Sequence, residues 1–205
     1  MNTNMSIPAP AAVFGFLAVS AGMILALLLA AVAVFSGKKK FAGTVAKVAL
    51  AGQAIYLAVL LGFSFASHEK TLARGEEKYF CEIDCHLAYS VQSAAYNGSS
   101  FTVAVRTRFD ERTISQHRGN GALTPNPRRI WLVDKVGRSH AVVSVQETSP
   151  ATPLRPGESY VTLFTFEPVD ESSRTRLLIT SDGWPEYFLI GDENSLLHKK
   201  TYLAL

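Results

Sequence analysis

The sequence predicts a two-helix membrane hairpin followed by one antiparallel β-sandwich of about seven or eight strands. Three observations carry this. The first 67 residues hold four charged side chains, Lys38, Lys39, Lys40 and Lys47, set between two apolar runs. All 17 acidic residues lie beyond that point, with a sharp change of composition. From Tyr79 onward, short β-rich runs of period two alternate with glycine-containing turns.

Taken as a whole, the 205-residue chain is mildly basic, with 20 Lys and Arg against 17 Asp and Glu and a net charge of +3. Such a balance suggests nucleic acid until the charges are located along the chain. From His68 to Leu205, 16 basic residues face 17 acids, a net charge of −1. The basic excess is the lysine cluster, so no nucleic-acid partner is expected.

The first run, Ala11 to Phe35, is 25 residues without a charge, enough for a hydrocarbon core that needs about 20 helical residues. It carries no Lys or Arg ahead of it and exceeds the usual length of a signal-peptide core, about 7 to 15 residues, so it reads as a span. The second run, Phe41 to Ala66, contains Lys47 near one end and Gln53. Lys47 can extend its ammonium to the interface beside the other lysines. Ser36 to Lys40 is short enough to require a tight antiparallel bend, and the positive-inside rule places its lysines in the cytoplasm and both termini outside. Ala46, Ala54, Ala58 and Gly62 on the second helix, and Gly15, Ala18 and Gly22 on the first, offer close-approach faces. These serve packing within the hairpin, the reading preferred here, or contact with another membrane subunit.

The division expected along the chain is a hairpin over residues 1–67, a charge-mixed connector over 68–78, and an extracytoplasmic β-domain over 79–205. Candidate strands are His86–Ala94, Ser100–Phe109, Arg129–Lys135, Ser139–Gln146, Ser159–Glu167, Thr175–Ser181, Tyr187–Ile190 and Lys199–Ala204. Turns are expected at Asn97-Gly98, Asn120-Gly121, Val136-Gly137, Pro156-Gly157 and Asp182-Gly183, where glycine supplies the positive φ that tight turns need. Phe101, Val103, Val105 and Thr107 form one face of a strand, and Tyr160, Thr162, Phe164 and Phe166 one face of another. Trp131 and Trp184 are expected in the core or at its corners.

The segment Leu154-Arg155-Pro156-Gly157-Glu158-Ser159 with the strand that follows resembles the turn-and-strand signature of immunoglobulin-like domains on bacterial surface proteins and lipoprotein anchors. That resemblance covers about 13 residues and implies an immunoglobulin-like binding or assembly scaffold without catalytic residues.

The sharpest chemical clue is Tyr79-Phe80-Cys81-Glu82-Ile83-Asp84-Cys85-His86-Leu87. In an extended chain Cys81 and Cys85 share a face but lie about 13 Å apart, too far to bond. A turn or bulge between them closes the gap to about 6 Å, and an oxidising compartment favours the disulfide. A relaxed Cys-Cys-His haem c attachment, with His86 as proximal ligand, is a third reading. Copper is the fourth, because soft thiolates suit Cu(I). Two spans, both termini outside, a β-rich outer domain and a Cys-x3-Cys pair also resemble cytochrome c oxidase subunit II. Here, however, the pair opens the domain, and Tyr89 and Gln92 stand where that family carries its further copper ligands.

Gly191-Asp192-Glu193-Asn194-Ser195 is expected to be a solvated acidic turn, since it lacks calcium-loop spacing. His198-Lys199-Lys200 reads as a polar strand entry able to meet lipid phosphate. The mixed charges Arg106, Arg108, Arg112, Arg118, Arg128 and Arg129 with Asp110, Glu111 and Asp134 are expected on a soluble surface. His117, Arg118, Asn126 and Arg128, in the long connection around Thr124-Pro125-Asn126-Pro127, are the candidate partner surface. Catalytic motifs are not legible. The expected protein is a non-catalytic accessory or assembly subunit of the bacterial inner membrane, needing no cofactor. Its partners are the lipid bilayer and other membrane subunits, with a copper- or haem-c-handling module as the alternative.

Overall fold

The computed structural model describes residues 1–81, 84–114, 119–126, 128–147, 153–168, 175–181 and 183–205. Two compact units emerge. One contains residues 6–67 and 184–198; the other contains residues 1–5, 68–183 and 199–205.

The helical unit is built on α1 (Ala9–Phe35) and α2 (Lys39–Ala66), both long and apolar enough to cross a membrane. Pro10 sits in the first turn of α1, where a missing N–H costs no helical hydrogen bond. Gly37 ends α1 with φ +74°. Its N–H donates to Val34 O, and that of Lys38 to Ala33 O at 2.7 Å, a closed C-terminal cap that reverses the chain within a few residues. Ala9, Ala12 and Ala33 of α1 and Ala42, Tyr56, Leu60 and Ser64 of α2 are buried. Val45, Ala49 and Gln53 are half-buried between those of α2, at the three- and four-residue steps of a helix–helix seam. The small face Ala46, Ala54, Ala58 and Gly62 lies outside that seam and is exposed. Packing within the hairpin therefore does not account for it: α2 meets its neighbour through a different set of residues, about a third of a turn away.

The other unit is a single mixed sheet, ten-stranded among the described residues. Its strands are β1 (Asn2–Thr3), β2 (Lys70–Leu72), β3 (Lys78–Phe80), β4 (Leu87–Tyr96), β5 (Phe101–Phe109), β6 (Arg129–Val133), β7 (Ser139–Glu147), β8 (Ser159–Phe166), β9 (Arg176–Thr180) and β10 (Thr201–Ala204). The order is β1-β3-β4-β5-β8-β7-β6-β9-β10-β2. The outermost strands, β1 on β3 and β2 on β10, pair parallel; the others pair antiparallel.

The expected immunoglobulin-like sandwich of two sheets is thus replaced by one sheet curled into a half-barrel. The reason lies in β7. Its residues Ser139 to Ala141 pair with β6, and Val142 to Glu147 pair with β8 across a register shift between Val142 and Ser144. One bulged strand serves both halves, and bulges bend and twist strands in this way. The curl brings β3, near one edge, close to β9 and β10, near the other. Lys78 on β3 is fully buried and donates from Nζ to Ile179 O at 2.7 Å and Thr201 O at 3.0 Å.

The core inside the curl contains Phe80, Leu87, Val91, Val103, Val105, Phe109, Leu132, Phe166, Leu177, Ile179 and Leu203. The period-two face of β5 points into it as expected, and Tyr160 and Phe164 of β8 pack against it. Gly98, Gly137 and Gly157 all have φ +85°, the turn role assigned to them; residue 182 lies outside the described residues. Residues 187–190 form no strand. Trp184–Phe188 is a 3-10 turn, opened by a Trp-Pro pair whose proline suits a helical start but not a ladder. Trp184 is 67% exposed, not in the core, whereas Trp131 is half-buried. The turn 192–195, expected to be solvated, is buried throughout.

Candidate functional site

Tyr79 and Phe80 of β3 pair with Ala88 and Leu87 of β4. The chain therefore reverses between Phe80 and Leu87, and the single extended strand that would keep the sulfurs apart is not formed. The hairpin register brings the Cα atoms of Cys81 and Cys85 to 4.2 Å, and their sulfurs are bonded at 2.06 Å. Closing so short a loop contributes about 2 kcal/mol on the chain-entropy account. Cys81 is buried, and its N–H donates to Asn4 Oδ1 at 2.7 Å. Asn4 N in turn donates to Tyr79 O at 3.0 Å.

His86, 3% exposed, stacks on Phe109 with centroids 5.4 Å apart. Its Nδ1 lies 2.7 Å from Thr113 Oγ1, and the Thr113 hydroxyl donates to Asp110 O, also at 2.7 Å. Nε2 stands 2.9 Å from Asp84 Oδ2. His86 thus ties the disulfide loop to the turn Glu111–Thr113 through both ring nitrogens.

This arrangement does not fit copper or haem c. Each sulfur is bonded to the other, leaving no thiolate to coordinate and no thiol to form a thioether, and both His86 nitrogens face protein partners. Among the described residues no three His, Cys, Asp or Glu side chains converge as a metal site.

One recess adjoins the loop and a second shares part of its lining. The first, about 50 Å³, is lined by Asp84, His86, Leu123, Asn126 and Arg128 among others. The larger, about 320 Å³, lies on the inner face of the curl between Tyr89, Thr107, Tyr160 and Glu147 and the segment carrying Asn126 and Arg128. Asn126 and Arg128 thus line both recesses, joining two sets of residues singled out separately in the sequence. Arg128 lies over the Phe80 ring, its guanidinium carbon 4.3 Å from the centroid. His117 and Arg118 lie outside the described residues.

The mixed charges of β5 are not a loose surface. Asp110 and Asp134 are each 2% exposed. Glu77 receives Arg108 through Nε at 2.8 Å and Nη2 at 2.7 Å. Asp110 accepts from Arg112 Nε and Nη2, both at 2.9 Å, and from Tyr79 Oη at 2.6 Å. The Arg112 guanidinium, with Tyr79 and Arg108, holds the Asp110 carboxyl far below the usual carboxylate range. Arg108 likewise lowers Glu77. Burial, followed by the neighbouring carboxylates, pushes the Tyr79 phenol up to about 12. Burial alone would raise Asp134, but the Arg138 N–H and guanidinium outweigh it and bring it down to about 2. A sequence signal for part of this network existed: Asp110 precedes Arg112 by two, and its carboxylate caps the Arg112 N–H at 3.1 Å. Glu77, in what reads as a connector, gives none.

Chemically the assembly is a rigidified β-hairpin with two recesses. Asp110, Glu77, Asp134 and Arg108 are each engaged by another protein group. No protein family, curated protein or solved structure matches this chain.

Proposed function

We propose that the protein is a membrane-anchored, non-catalytic accessory or assembly subunit, held in a bacterial inner membrane by α1 and α2 with its β-domain in the periplasm or extracytoplasmic space. The observation carrying this reading is the exposed face Ala46, Ala54, Ala58 and Gly62, which the hairpin seam leaves uncovered. Small residues on a spanning helix permit close approach of another helix. A groove of about 440 Å³ between α1 and α2, lined by Gly22, Ala26, Ala49 and Gly52 among others, adds a second place for a partner helix to pack.

Features on both sides support this orientation. β1 and β2, which flank the hairpin in sequence, belong to one sheet, so the N-terminus and the β-domain share one side of the bilayer. Lys38, Lys39 and Lys40 at the bend mark the other side as cytoplasmic. The Cys81–Cys85 bond suits an oxidising compartment.

Topology is tested by cysteine labelling in intact cells. An impermeant maleimide should modify Gly98→Cys and spare Lys39→Cys, and the opposite pattern rejects this orientation. The subunit role is tested with a photo-crosslinking residue replacing Ala54 or Ala58. One discrete adduct with a second membrane protein is expected, and labelling of lipid alone would reduce the hairpin to a plain anchor.

A further inference from the structure

We propose that Trp184–Leu197 is a third membrane-contacting element, seated in the phospholipid interface of the outer leaflet with Trp184, Tyr187 and Leu197 among the acyl chains. The inference rests on α1 and α2 spanning the bilayer. It starts from an inverted distribution of polarity. Trp184 is 67% exposed, Tyr187 50% and Leu197 64%. Asp192, Glu193, Asn194 and Ser195 are all buried. Water selects the opposite pattern. The inward polar groups are bonded: Asn194 N–H reaches Asp192 Oδ1 at 2.6 Å, Asn194 Nδ2 donates to Glu186 Oε2 at 2.8 Å, and Leu196 N–H donates to Tyr187 O at 3.2 Å. A segment that satisfies its polar groups internally and turns aromatic and leucine side chains outward meets the conditions lipid imposes.

Its depth can be read from α2. Tyr56 Oη donates to Phe188 O at 2.6 Å, and Tyr56 is 8% exposed. Seventeen residues separate Tyr56 from Lys39, where α2 begins, which is about 25 Å along a helix. A hydrocarbon core about 30 Å thick measured from the lysine end therefore closes about 5 Å beyond Tyr56. That is the headgroup–acyl boundary, where Trp and Tyr concentrate. A second tether joins the chain entering α1. Ser6 N donates to Gly191 O at 2.8 Å, and a Cβ at Gly191 would stand 2.6 Å from Ser6 Oγ. The close approach and φ +76° both call for glycine.

The test uses the full chain in phosphatidylcholine vesicles with bromine at shallow or deep acyl positions. The chain has two tryptophans, so Trp131→Phe leaves Trp184 as the sole reporter. Its emission should be blue-shifted and fall about twofold with shallow bromine, less with deep, as expected of an interfacial Trp. Should Trp131→Phe misfold, the difference between the natural chain and Trp184→Phe gives the same signal, with Trp131 unquenched. Emission insensitive to bromine while the protein resists carbonate extraction overturns the interfacial seat and leaves the spanning hairpin standing. Extraction by carbonate rejects the spanning hairpin itself.

Discussion

Asp110→Ala is expected to cost about 3–5 kcal/mol of stability, the range for removing one partner of a buried charge network. The carboxylate is the common acceptor for Tyr79 Oη, the Arg112 N–H and the guanidinium of Arg112, with Arg108 Nη2 at 3.2 Å. Without it Arg108 keeps Glu77 but loses its second anion, and the buried Tyr79 hydroxyl is left with Glu77 and Arg108 Nη2. Because Asp110 N–H also donates to His86 O at 2.8 Å, loosening this end of β5 loosens the tie to the disulfide loop.

The same network sets the pH response. The folded values of Asp110 and Glu77 are depressed, so their stabilisation is complete above the unfolded carboxylate range, about pH 4, and is lost as pH falls below it. The Tyr79 value is raised to about 12, so its contribution holds below about pH 10, the unfolded phenol value, and disappears as pH rises toward 12. Thermal melts of the full chain in detergent should show both limbs. Asp110→Asn should flatten the acid limb, and an unchanged acid slope would show that other carboxylates carry it.

Lys78→Met is expected to cost about 2–4 kcal/mol, since one buried and one half-buried carbonyl lose their donor and an orphaned polar group costs about 1–3 kcal/mol. The methionine fills a similar volume, so the loss reports hydrogen bonding more than packing. Lys78 bonds β3 to the carbonyls of Ile179 and Thr201 across the curl, and its ammonium stands 4.9 Å from the Phe80 centroid. The unfolding midpoint should fall by roughly 10 °C, taking a few degrees per kcal/mol for a unit of this size. An unchanged midpoint would mean that water replaces the ammonium and that the strand ladder alone holds the curl.

Much of the fold was legible because it is written in local patterns. The two long apolar helices follow from length and charge, and β5 and β8 from period-two alternation with glycine turns at Gly98 and Gly157. Other features had no local pattern to read. β1 is two residues long and exists because β3 lies beside it. Lys78, in a charge-mixed stretch, reads as exposed until the curl supplies two carbonyls. The choice among four readings of Cys81 and Cys85 was made by the Phe80–Leu87 pairing, a contact the cysteines do not themselves encode. Trp184 and the segment 187–190 depart from the sequence expectation because hydrophobicity alone does not specify burial: Trp184 is 67% exposed, and Trp184–Phe188 forms a 3-10 turn.

The sequence by itself determined that the chain carries an apolar helical hairpin with its lysines at the bend, and a β-rich part bearing nearly balanced charge. These are one-dimensional properties, set by hydropathy and helix length. Only the tertiary structure decided that the β-part is one curled sheet, that the cysteines close a hairpin, that the small-residue face of α2 stays uncovered, and that Trp184–Leu197 turns its apolar side chains outward. Each depends on which distant segment lies alongside, and neither propensity nor period specifies a neighbour.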